Sequence, residues 1–354
     1  MAGIVSADLK MFRALVNSDD PTNGGGISSN RITSNVAENL LPNVSEAERI
    51  TGLTRYRKLF CKNEADLSDA TRDGLALVNH RICVGRQSPG DDWLRLGAGT
   101  NTDTQAAIGS VPSWHGCGKI NANIAADSTS IALAFDGPSG GPYDGVDDGA
   151  LIRLAEYEYN DSQGIFVVKQ EEYVRAIPSG AVSWISNVAT ILLSTATRYS
   201  WNAYTLGPTH ATSYYTFGAS CVELGDTQAD KAIVSQTGPA TFIVDNVYVY
   251  NIGSIVDTWT ITFTSSTAFT VSGAATGALP PGNKSSAYYA INGSSYYFYI
   301  PTDAWGAGSW VAGNQIVFTT SQSAKGVWVK EIIPANSASE SRNDPHLNQA
   351  GESA

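Results

Sequence analysis

Hydrophobic and polar residues alternate most regularly over residues 257–264. Trp259, Ile261 and Phe263 are separated there by threonines. Because successive side chains of a strand point to opposite faces, this pattern places the three large apolar groups on one face and the hydroxyls on the other. The segment is therefore predicted to be a β-strand with one buried face.

Shorter runs of similar character, bounded by Gly, Pro, Asn or Asp, are predicted to be strands as well. They cover residues 54–62, 75–84, 93–96, 130–135, 151–159, 165–168, 172–177, 242–250, 267–272, 296–300, 315–319 and 326–333. An apolar stretch at 182–193 fits either a buried strand pair or a short helix. The Gly- and Pro-rich segment 137–149 is predicted to be a long exposed loop.

The first 53 residues follow a different pattern. Four apolar residues have the spacing of one helical face, namely Val5, Leu9, Phe12 and Val16. Residues 18–30 are a flexible, turn-rich stretch, and a second short helix is predicted at 45–50, where Ser45 can cap the first turn. Because this region has too few apolar residues to form a domain, residues 1–53 are predicted to be an arm with short helices that docks on a neighbouring molecule.

The chain is thus predicted to be mainly β and to have four parts. The arm is followed by a β-rich region at 54–238, a small Ig-like β-sandwich of roughly six strands at 239–335, and a polar, disordered tail at 336–354. The region 54–238 fits either a sandwich or a barrel closed between subunits. The sequence DTQA at 103–106 recurs at 226–229, which is explained either by chance or by a duplicated β domain.

Composition and charge limit the classes of function. Charged residues make up 16% of the 354, and 22 basic against 33 acidic residues give a net charge of −11. Such a chain is not expected to grip a nucleic-acid backbone, which requires clustered Lys and Arg. Asp8 and Lys10 lie where a signal peptide needs an apolar run, and no run is long enough for a spanning helix. We therefore expect synthesis in a cytoplasm and no membrane partner.

Histidines and cysteines are scattered along the chain. The motif WHGCG at 114–118 brings the two residue types closest, but zinc requires about four ligands, and His80 with Cys83 is the one other loose candidate. A tight turn with a buried cysteine explains the motif better. The four cysteines fit no paired framework and are expected to be free and buried: Cys61, Cys83, Cys117 and Cys221.

No enzyme, metal or cofactor signature emerges from the remaining polar residues. A GxSxG turn is missing, Ser220 and Cys221 lack that spacing, and the histidines His80, His115, His210 and His346 are far apart in the sequence.

Four glutamates could suggest a glycosidase pair, but the solvated face of a sheet explains them more simply: Glu156, Glu158, Glu171 and Glu172. Three aspartates lack the order of a calcium loop: Asp144, Asp147 and Asp148. No phosphate-binding glycine motif follows a strand. The chain is therefore predicted to be neither an enzyme nor a cofactor or metal protein.

An aromatic cluster is the strongest binding-like feature. Its members are Tyr288, Tyr289, Tyr296, Tyr297, Phe298, Tyr299, Trp305 and Trp310. Residues 296–299 are consecutive, so on a strand half of their rings must point away from any one core. The favoured interpretation is core packing together with subunit contacts. The alternative is a carbohydrate-binding adhesin, with Trp305 and Tyr297 as part of a sugar platform.

Several segments together resemble a family of viral proteins. They are ITSNVAENLLPNVSEAERITGLTRYRKLFCKN at 32–63, GTNTDTQAAI at 99–108, HGCGK at 115–119, DTWTITFTSSTAFTVSG at 257–273, FYIPTDAWGAGSWVAGNQIVFTT at 298–320 and VWVKEIIPA at 327–335. The set is similar to structural proteins of long-tailed bacteriophages of the Chi-like and Mu-like groups, in particular the major tail (tail tube) proteins. A head–tail joining protein or another tail component is the alternative within the virion.

The resemblance implies a homo-oligomeric ring of β-structured subunits, stacked into a tube through which double-stranded DNA passes without specific binding. It also implies neighbouring tail proteins as partners and the virion as the location. The net charge of −11 suits a bore that repels DNA phosphates. Many tube subunits are shorter than this chain, so the sandwich at 239–335 is expected to be an outer decoration.

Overall fold

The computed structural model describes residues 3–34, 36, 38–66, 74–88, 90–135, 146–339 and 345–353. The chain is mainly β, with 52% strand and 7% helix, and its sheets are antiparallel. The fold class predicted from the alternating pattern is therefore confirmed. Most of the predicted loop at 137–149 lies outside the described residues.

The described strands follow one another along the whole chain. They are β1 (Leu9–Val16), β2 (Gly24–Ile32), β3 (Leu53–Asn63), β4 (Leu77–Arg86), β5 (Trp93–Ala98), β6 (Cys117–Ile120), β7 (Ser130–Phe135), β8 (Leu151–Asn160), β9 (Ile165–Arg175), β10 (Val182–Ile185), β11 (Val188–Leu192), β12 (Tyr215–Thr227), β13 (Asp230–Gln236), β14 (Asp257–Phe263), β15 (Ala268–Gly273), β16 (Gly277–Asn283), β17 (Tyr288–Asn292), β18 (Ser295–Ile300), β19 (Gln315–Ser321), β20 (Ala324–Ile333) and β21 (His346–Ser353). Helical structure is short: α1 (Glu46–Thr51) and the 3₁₀ segments Ser6–Asp8, Gln105–Ser110, His210–Thr212, Val244–Asn246 and Thr302–Ala304.

The first sheet joins the two ends of the chain. Its strand order is β2-β1-β3-β20-β5. β20 pairs with β3 from Ala324 opposite Lys62 to Ile333 opposite Leu53. Residues 326–333, which the sequence assigned to the C-terminal sandwich, therefore belong to a sheet formed mainly by N-terminal strands. The predicted sandwich boundary at 335 is wrong for this strand.

The second sheet is built around β12. Its order is β10-β11-β7-β6-β12-β4-β21, and β8 also pairs with β12 while β9 pairs with β8. Apolar side chains of the first and second sheets share one buried core, including Leu59, Cys61, Ile82, Val84, Phe217, Cys221, Val327 and Val329. The stretch 182–193 forms a hairpin of β10 and β11, which decides between the two predicted alternatives in favour of strands.

The third sheet and a separate hairpin form the C-terminal sandwich. The sheet order is β13-β19-β14-β15-β16, and β17 pairs with β18. Trp259, Ile261 and Phe263 are buried, as the period-two pattern predicts. The ring of Phe263 stacks on that of Trp310 with centroids 4.5 Å apart. Aromatic packing of this kind fills the core between the sheet and the hairpin.

The predicted N-terminal helix is wrong. Residues 9–16 form β1, which pairs with β2 on one side and β3 on the other. The turn-rich stretch at 18–30 contains most of β2. Cross-strand pairing and burial of Ala14 against Phe60 outweigh the helical spacing, because a short isolated helix is marginal without a packed face. The second predicted helix is confirmed as α1, with Ser45 accepting a hydrogen bond from the amide of Glu48.

Other predicted elements also need correction. The segment 242–250 is a 3₁₀ turn flanked by isolated bridges rather than a strand. The four-residue repeat adopts two different structures, since 103–106 leads into a 3₁₀ segment whereas 226–229 ends β12. The repeat therefore gives no structural support to a duplication. The predicted disordered tail contains β21, which pairs with β4 from His346 to Ser353, while residues 340–344 lie outside the described ones.

A buried histidine helps to hold β21 in the second sheet. His80 on β4 is bonded through Nδ1 to Thr227 Oγ1 at 2.8 Å, and its Nε2 faces Gln349 Nε2 on β21 at 2.9 Å. The side-chain amide nitrogen of Gln349 can only donate a hydrogen bond, so Nε2 of His80 is the acceptor. The imidazole ring is therefore neutral. Burial, aided by the charges of Lys325 and Arg81, lowers the pKa of His80 from 6.5 to about 4.

We expect the free energy of unfolding to fall as the pH decreases through the window between these two pKa values. The unfolded chain takes up a proton on His80 near pH 6.5, whereas the folded protein keeps the ring neutral down to about pH 4. This pKa difference corresponds to about 3 kcal/mol of stability. That stability is fully present above pH 6.5 and is lost below about pH 4. Urea denaturation across this range should show a weaker pH dependence for His80→Gln than for the wild type. Equal pH dependence of the two proteins would contradict the assignment.

Candidate assembly surface

Strand β13 is an open edge of the third sheet. It pairs with β19 on one side, and within the described residues no strand covers its other side. Ile233 and Val234 are neighbours on this strand and are 44% and 59% exposed. The ladder to β19 has a bulge here, because Ile233 lies opposite Phe318 and Ser235 opposite Val317, so Val234 is the extra residue. An edge strand with exposed apolar side chains is prone to pair with another strand.

The opposite edge of the same sheet has a different composition. β16 contains Pro280 and Pro281. Proline has no N–H to donate to a ladder, and prolines on an edge strand hinder further pairing. The third sheet is therefore blocked at β16 and open at β13.

The second sheet has an exposed apolar segment at the start of β9. The last part of β9 is covered by the chain beyond β11, where the Ser194 amide donates to the Arg175 carbonyl at 2.8 Å. The first part carries three exposed aliphatic residues, Ile165, Val167 and Val168. These residues extend the apolar surface available for contact with another molecule.

A bulge partly guards this β9 edge. Gln170 lies opposite Glu156 and Val168 opposite Tyr157, so Lys169 is the extra residue. The Lys169 ammonium binds the Glu156 carboxylate at 2.7 Å. Bulges and lysines both limit uncontrolled pairing at sheet edges. β13 has the same two features, Lys231 and a bulge at Val234, but unlike β16 it carries no proline.

The tip of the β10–β11 hairpin exposes a large aliphatic side chain. Ile185 is 79% exposed, and the turn that follows places Ser186 at a φ of 55°. The preceding Trp184 packs on Phe135 with ring centroids 5.5 Å apart. Trp184 therefore anchors the hairpin while Ile185 points away from its own chain.

A cleft of about 800 Å³ lies between β5, β8, β9 and the loop before β12. The ring of His210 stacks on Tyr159 at 4.0 Å and bonds the Tyr215 hydroxyl at 2.6 Å. The guanidinium of Arg86 lies over the ring of Phe166 at 4.3 Å. This cleft was not predictable from the sequence, because its aromatic residues come from separate strands and loops. The cleft is a concave, aromatic region that is suited to receive a side chain of a neighbouring molecule.

Five tyrosines form a continuous group that we call the tyrosine surface. It consists of Tyr248, Tyr250, Tyr289, Tyr296 and Tyr299. The ring of Tyr289 lies 4.6 Å from that of Tyr299 and 5.2 Å from that of Tyr296. Tyr289 is 41% exposed, so its ring offers a face to solvent. Half-exposed tyrosines are suited both to protein contacts and to stacking on sugar rings.

The hydroxyls of the tyrosine surface converge on Tyr250. Its hydroxyl is buried and has no hydrogen-bond partner among the described residues. Burial, together with the nearby phenols of Tyr289, Tyr296 and Tyr299, raises the pKa of Tyr250 above its usual value. A buried hydroxyl without a partner is costly, and because it has almost no exposed surface it is out of reach of a ligand bound at the surface.

Other members of the predicted aromatic cluster lie in the core. Trp310 is fully buried, and Trp305 packs on Phe242 with ring centroids 5.1 Å apart. Tyr297 packs on Trp259 at 5.2 Å. Trp305 and Tyr297, named from the sequence as parts of a sugar platform, therefore do not form one. The alternation within 296–299 predicted outward rings, but it could not identify which residues carried them.

His115 and Ser220, two of the residues considered for nucleophilic catalysis, are in contact within the fold. His115 Nδ1 and Ser220 Oγ are hydrogen-bonded at 2.8 Å, a proximity that the sequence did not predict. Ser220 is fully buried in β12, so its hydroxyl is not accessible to a substrate. All four cysteines are free and buried, as predicted. No group of three or more His, Cys, Asp or Glu side chains within the described residues is arranged to hold a metal ion.

The glutamates proposed as a possible glycosidase pair mostly have structural partners. These contacts are Glu156 with Lys169 at 2.7 Å, Glu171 with Arg153 at 2.6 Å, and Glu172 with the Trp201 indole N–H at 2.8 Å. Glu158 is exposed, but Glu156 is buried, so the expectation of a solvated face is wrong for Glu156. Ion pairs between strands explain most of this carboxylate group.

The aspartates of the predicted acidic loop do not form a calcium site in the described residues. Asp148 accepts hydrogen bonds from the amides of Gly180 and Ala181 at 2.7 and 2.6 Å. Asp147 accepts a longer hydrogen bond from Ser113 at 3.4 Å. Asp144 lies outside the described residues. Asp148 thus fixes the turn before β10.

Comparison with known proteins gives no assignment. No protein-family model matches the chain, and no curated protein matches its sequence. In the described part of the chain, no helix is both long enough and apolar enough to cross a bilayer.

Proposed function

We propose that the chain is a structural protein that assembles with copies of itself through open strand edges. The observation that carries this proposal is the uncovered apolar edge β13, with Ile233 and Val234 exposed. Pairing this edge with a strand of a second copy would satisfy its backbone groups and bury both side chains. When different patches of identical subunits are in contact, each subunit is related to the next by a rotation. A ring forms if successive rotations return to the first subunit.

The more specific proposal is a major tail tube protein of a long-tailed bacteriophage. The six segments that resemble this family support it, as does the mainly β architecture. The net charge of −11 suits a wall that DNA passes without binding. The proposed partners are further copies, neighbouring tail proteins and the passing genome, and the proposed location is the virion.

The N-terminal region retains a part in this proposal. β1 and β2 pair within their own chain, but Leu15 and Val16 at the end of β1 are exposed. Exposed apolar residues next to a turn are suited to contact with an adjacent ring. The arm predicted from the sequence is thereby replaced by a hairpin that carries a contact at its end.

Negative-stain electron microscopy of the purified protein over a range of concentrations tests this function. We expect rings and stacked rings as concentration rises, because subunit association follows mass action. A species that stays monomeric at high protein concentration would refute the proposal.

A second candidate function is carbohydrate binding, and the tyrosine surface is the observation that favours it. Tyr289 presents its ring to solvent, beside the rings of Tyr296 and Tyr299. A sugar can stack on such an exposed ring. This function is compatible with a tail protein whose third sheet lies on the outside.

For this second function, Tyr289→Ala is expected to weaken glycan binding about five- to thirty-fold, because loss of a stacked ring removes about 1–2 kcal/mol. A glycan array identifies the ligand, and calorimetry with that ligand measures the change. The matched control is Tyr214→Ala, since Tyr214 is 43% exposed and lies outside the tyrosine surface. An array without signal, or equal weakening by both variants, would exclude the tyrosine surface as a sugar site.

A further inference from the structure

Two cysteines lie directly opposite each other in the second sheet. Cys221 on β12 is the register partner of Cys83 on β4. Opposed residues of an antiparallel pair have Cα atoms about 4.5–5.5 Å apart and side chains on the same face. A disulfide requires Cα atoms about 4.4–6.8 Å apart. This position can therefore be bridged without a large movement of either strand.

The surroundings make the two thiols unequal. Both residues are buried, and the Cys221 thiol donates to the Ala219 carbonyl at 3.9 Å. The proximity of the two thiols and the positive charges of Arg153 and Arg81 lower the pKa of Cys83, whereas the same proximity and burial raise the pKa of Cys221. Cys83 is thus the more nucleophilic member, because the thiolate is the reactive form.

We propose that Cys83 and Cys221 are a latent disulfide site, which closes when the protein meets a small oxidant. The strand register brings no other two cysteines together. Cys61 lies opposite Met11 and Lys325, and Cys117 lies opposite Ala219. Oxidation should therefore produce one bond and leave two thiols.

The chemistry balances with an azodicarboxamide oxidant. The Cys83 thiolate adds to one nitrogen of the N=N bond, and the other nitrogen takes up a proton. The Cys221 thiol then attacks the Cys83 sulfur, forms the S–S bond and expels the hydrazine product, whose nitrogen takes the second proton. Two electrons pass from the sulfurs to the N=N bond, and a reductant with two thiols reverses the result.

The bond would tie β4 to β12 at the centre of the second sheet. A cross-link between residues distant in sequence stabilises the fold, largely by restricting the unfolded chain. The benefit of the Cys83–Cys221 bond to a particle outside the reducing cytoplasm rests on the proposed function. The formation of the bond does not depend on that function.

The test treats the full-length protein with diamide, both in the folded state and during refolding from urea, so that the buried sulfurs become accessible. Thiol counting after denaturation should fall from four to two, and mass spectrometry should identify a peptide pair that links Cys83 to Cys221. The melting temperature should rise by roughly 5–10 °C and return on reduction. Cys83→Ser and Cys221→Ser should each retain three thiols, whereas the control Cys61→Ser should fall from three to one.

Two results would overturn this inference: four thiols remaining under both conditions, or a bond between other cysteines. A protein that forms the Cys83–Cys221 bond but never assembles would refute the proposed function alone. A protein that assembles but never forms the bond would refute the disulfide alone.

Discussion

Replacing Val234 by glutamate should lower the association constant of the assembly at least about ten-fold, because a buried, unpaired carboxylate costs more than the 1.4 kcal/mol that corresponds to that change. Val234 is 59% exposed on β13, so the isolated subunit should fold normally. In the assembly, the same position would be covered by a neighbouring strand. The contact is repeated in every subunit, and its loss therefore affects each interface.

Sedimentation velocity at matched concentrations measures this effect. Val311→Glu is the matched control, since Val311 is 54% exposed and lies in the loop before β19 rather than on a sheet edge. The control should assemble like the wild type. If the Val234 variant also assembles like the wild type, β13 is not an assembly edge.

Replacing Lys58 by methionine should lower the free energy of unfolding by about 3–5 kcal/mol, the usual effect of removing one partner of a buried ion pair. The Lys58 side chain is fully buried, and its ammonium donates to the Gly25 carbonyl at 2.7 Å and contacts the Asp103 carboxylate at 2.5 Å. The indole N–H of Trp328 donates to the same carboxylate at 2.7 Å. The group joins β2, β3 and β20 to the loop after β5.

Urea denaturation followed by circular dichroism measures this loss. Burial lowers the pKa of Lys58, and the hydrogen bond and charge of Asp103 oppose that change, while the pKa of Asp103 is itself lowered by its contacts with Lys58 and Trp328. The control is Arg175→Met, whose arginine is 45% exposed in its pair with Glu223, itself 50% exposed, and it should cost no more than about 1 kcal/mol. Similar losses for both variants would contradict the structural importance assigned to Lys58.

Strict alternation was the most informative feature of the sequence. Trp259, Ile261 and Phe263 are buried as predicted, because one face of β14 packs on the sandwich core and the other does not. The cap of α1 was also predictable, since the hydrogen bond of Ser45 is local. Local patterns thus identified elements whose partners did not need to be known.

The errors arise where distant strands decide the structure. The helical spacing from Val5 to Val16 is overridden because β1 finds partners in β2 and β3. β12 was missed because its first eight residues are all buried, and a strand buried on both faces shows no alternation. β20 was assigned to the wrong sheet for a related reason, since its pairing with β3 joins opposite ends of the chain.

The candidate assembly surface was predictable only in part. The sequence indicated that some tyrosines of 296–299 face outward, and Tyr296 is half-buried with its ring 5.2 Å from that of the exposed Tyr289. It did not indicate that β13 is a strand or an edge, because an edge is defined by which neighbours are missing. The opposed pair of Cys83 and Cys221 likewise depends on the register between β12 and β4.

Amide hydrogen exchange of β13 tests the central claim most directly. In the assembled protein, amides within Asp230–Gln236 that point away from β19 should exchange at least about ten-fold more slowly than in dissociated subunits, because a strand of a second copy would bond them. Amides of the proline-containing edge β16 provide the reference and should not change. Equal exchange of β13 in the two states would contradict the claim that copies of this chain pair at that edge.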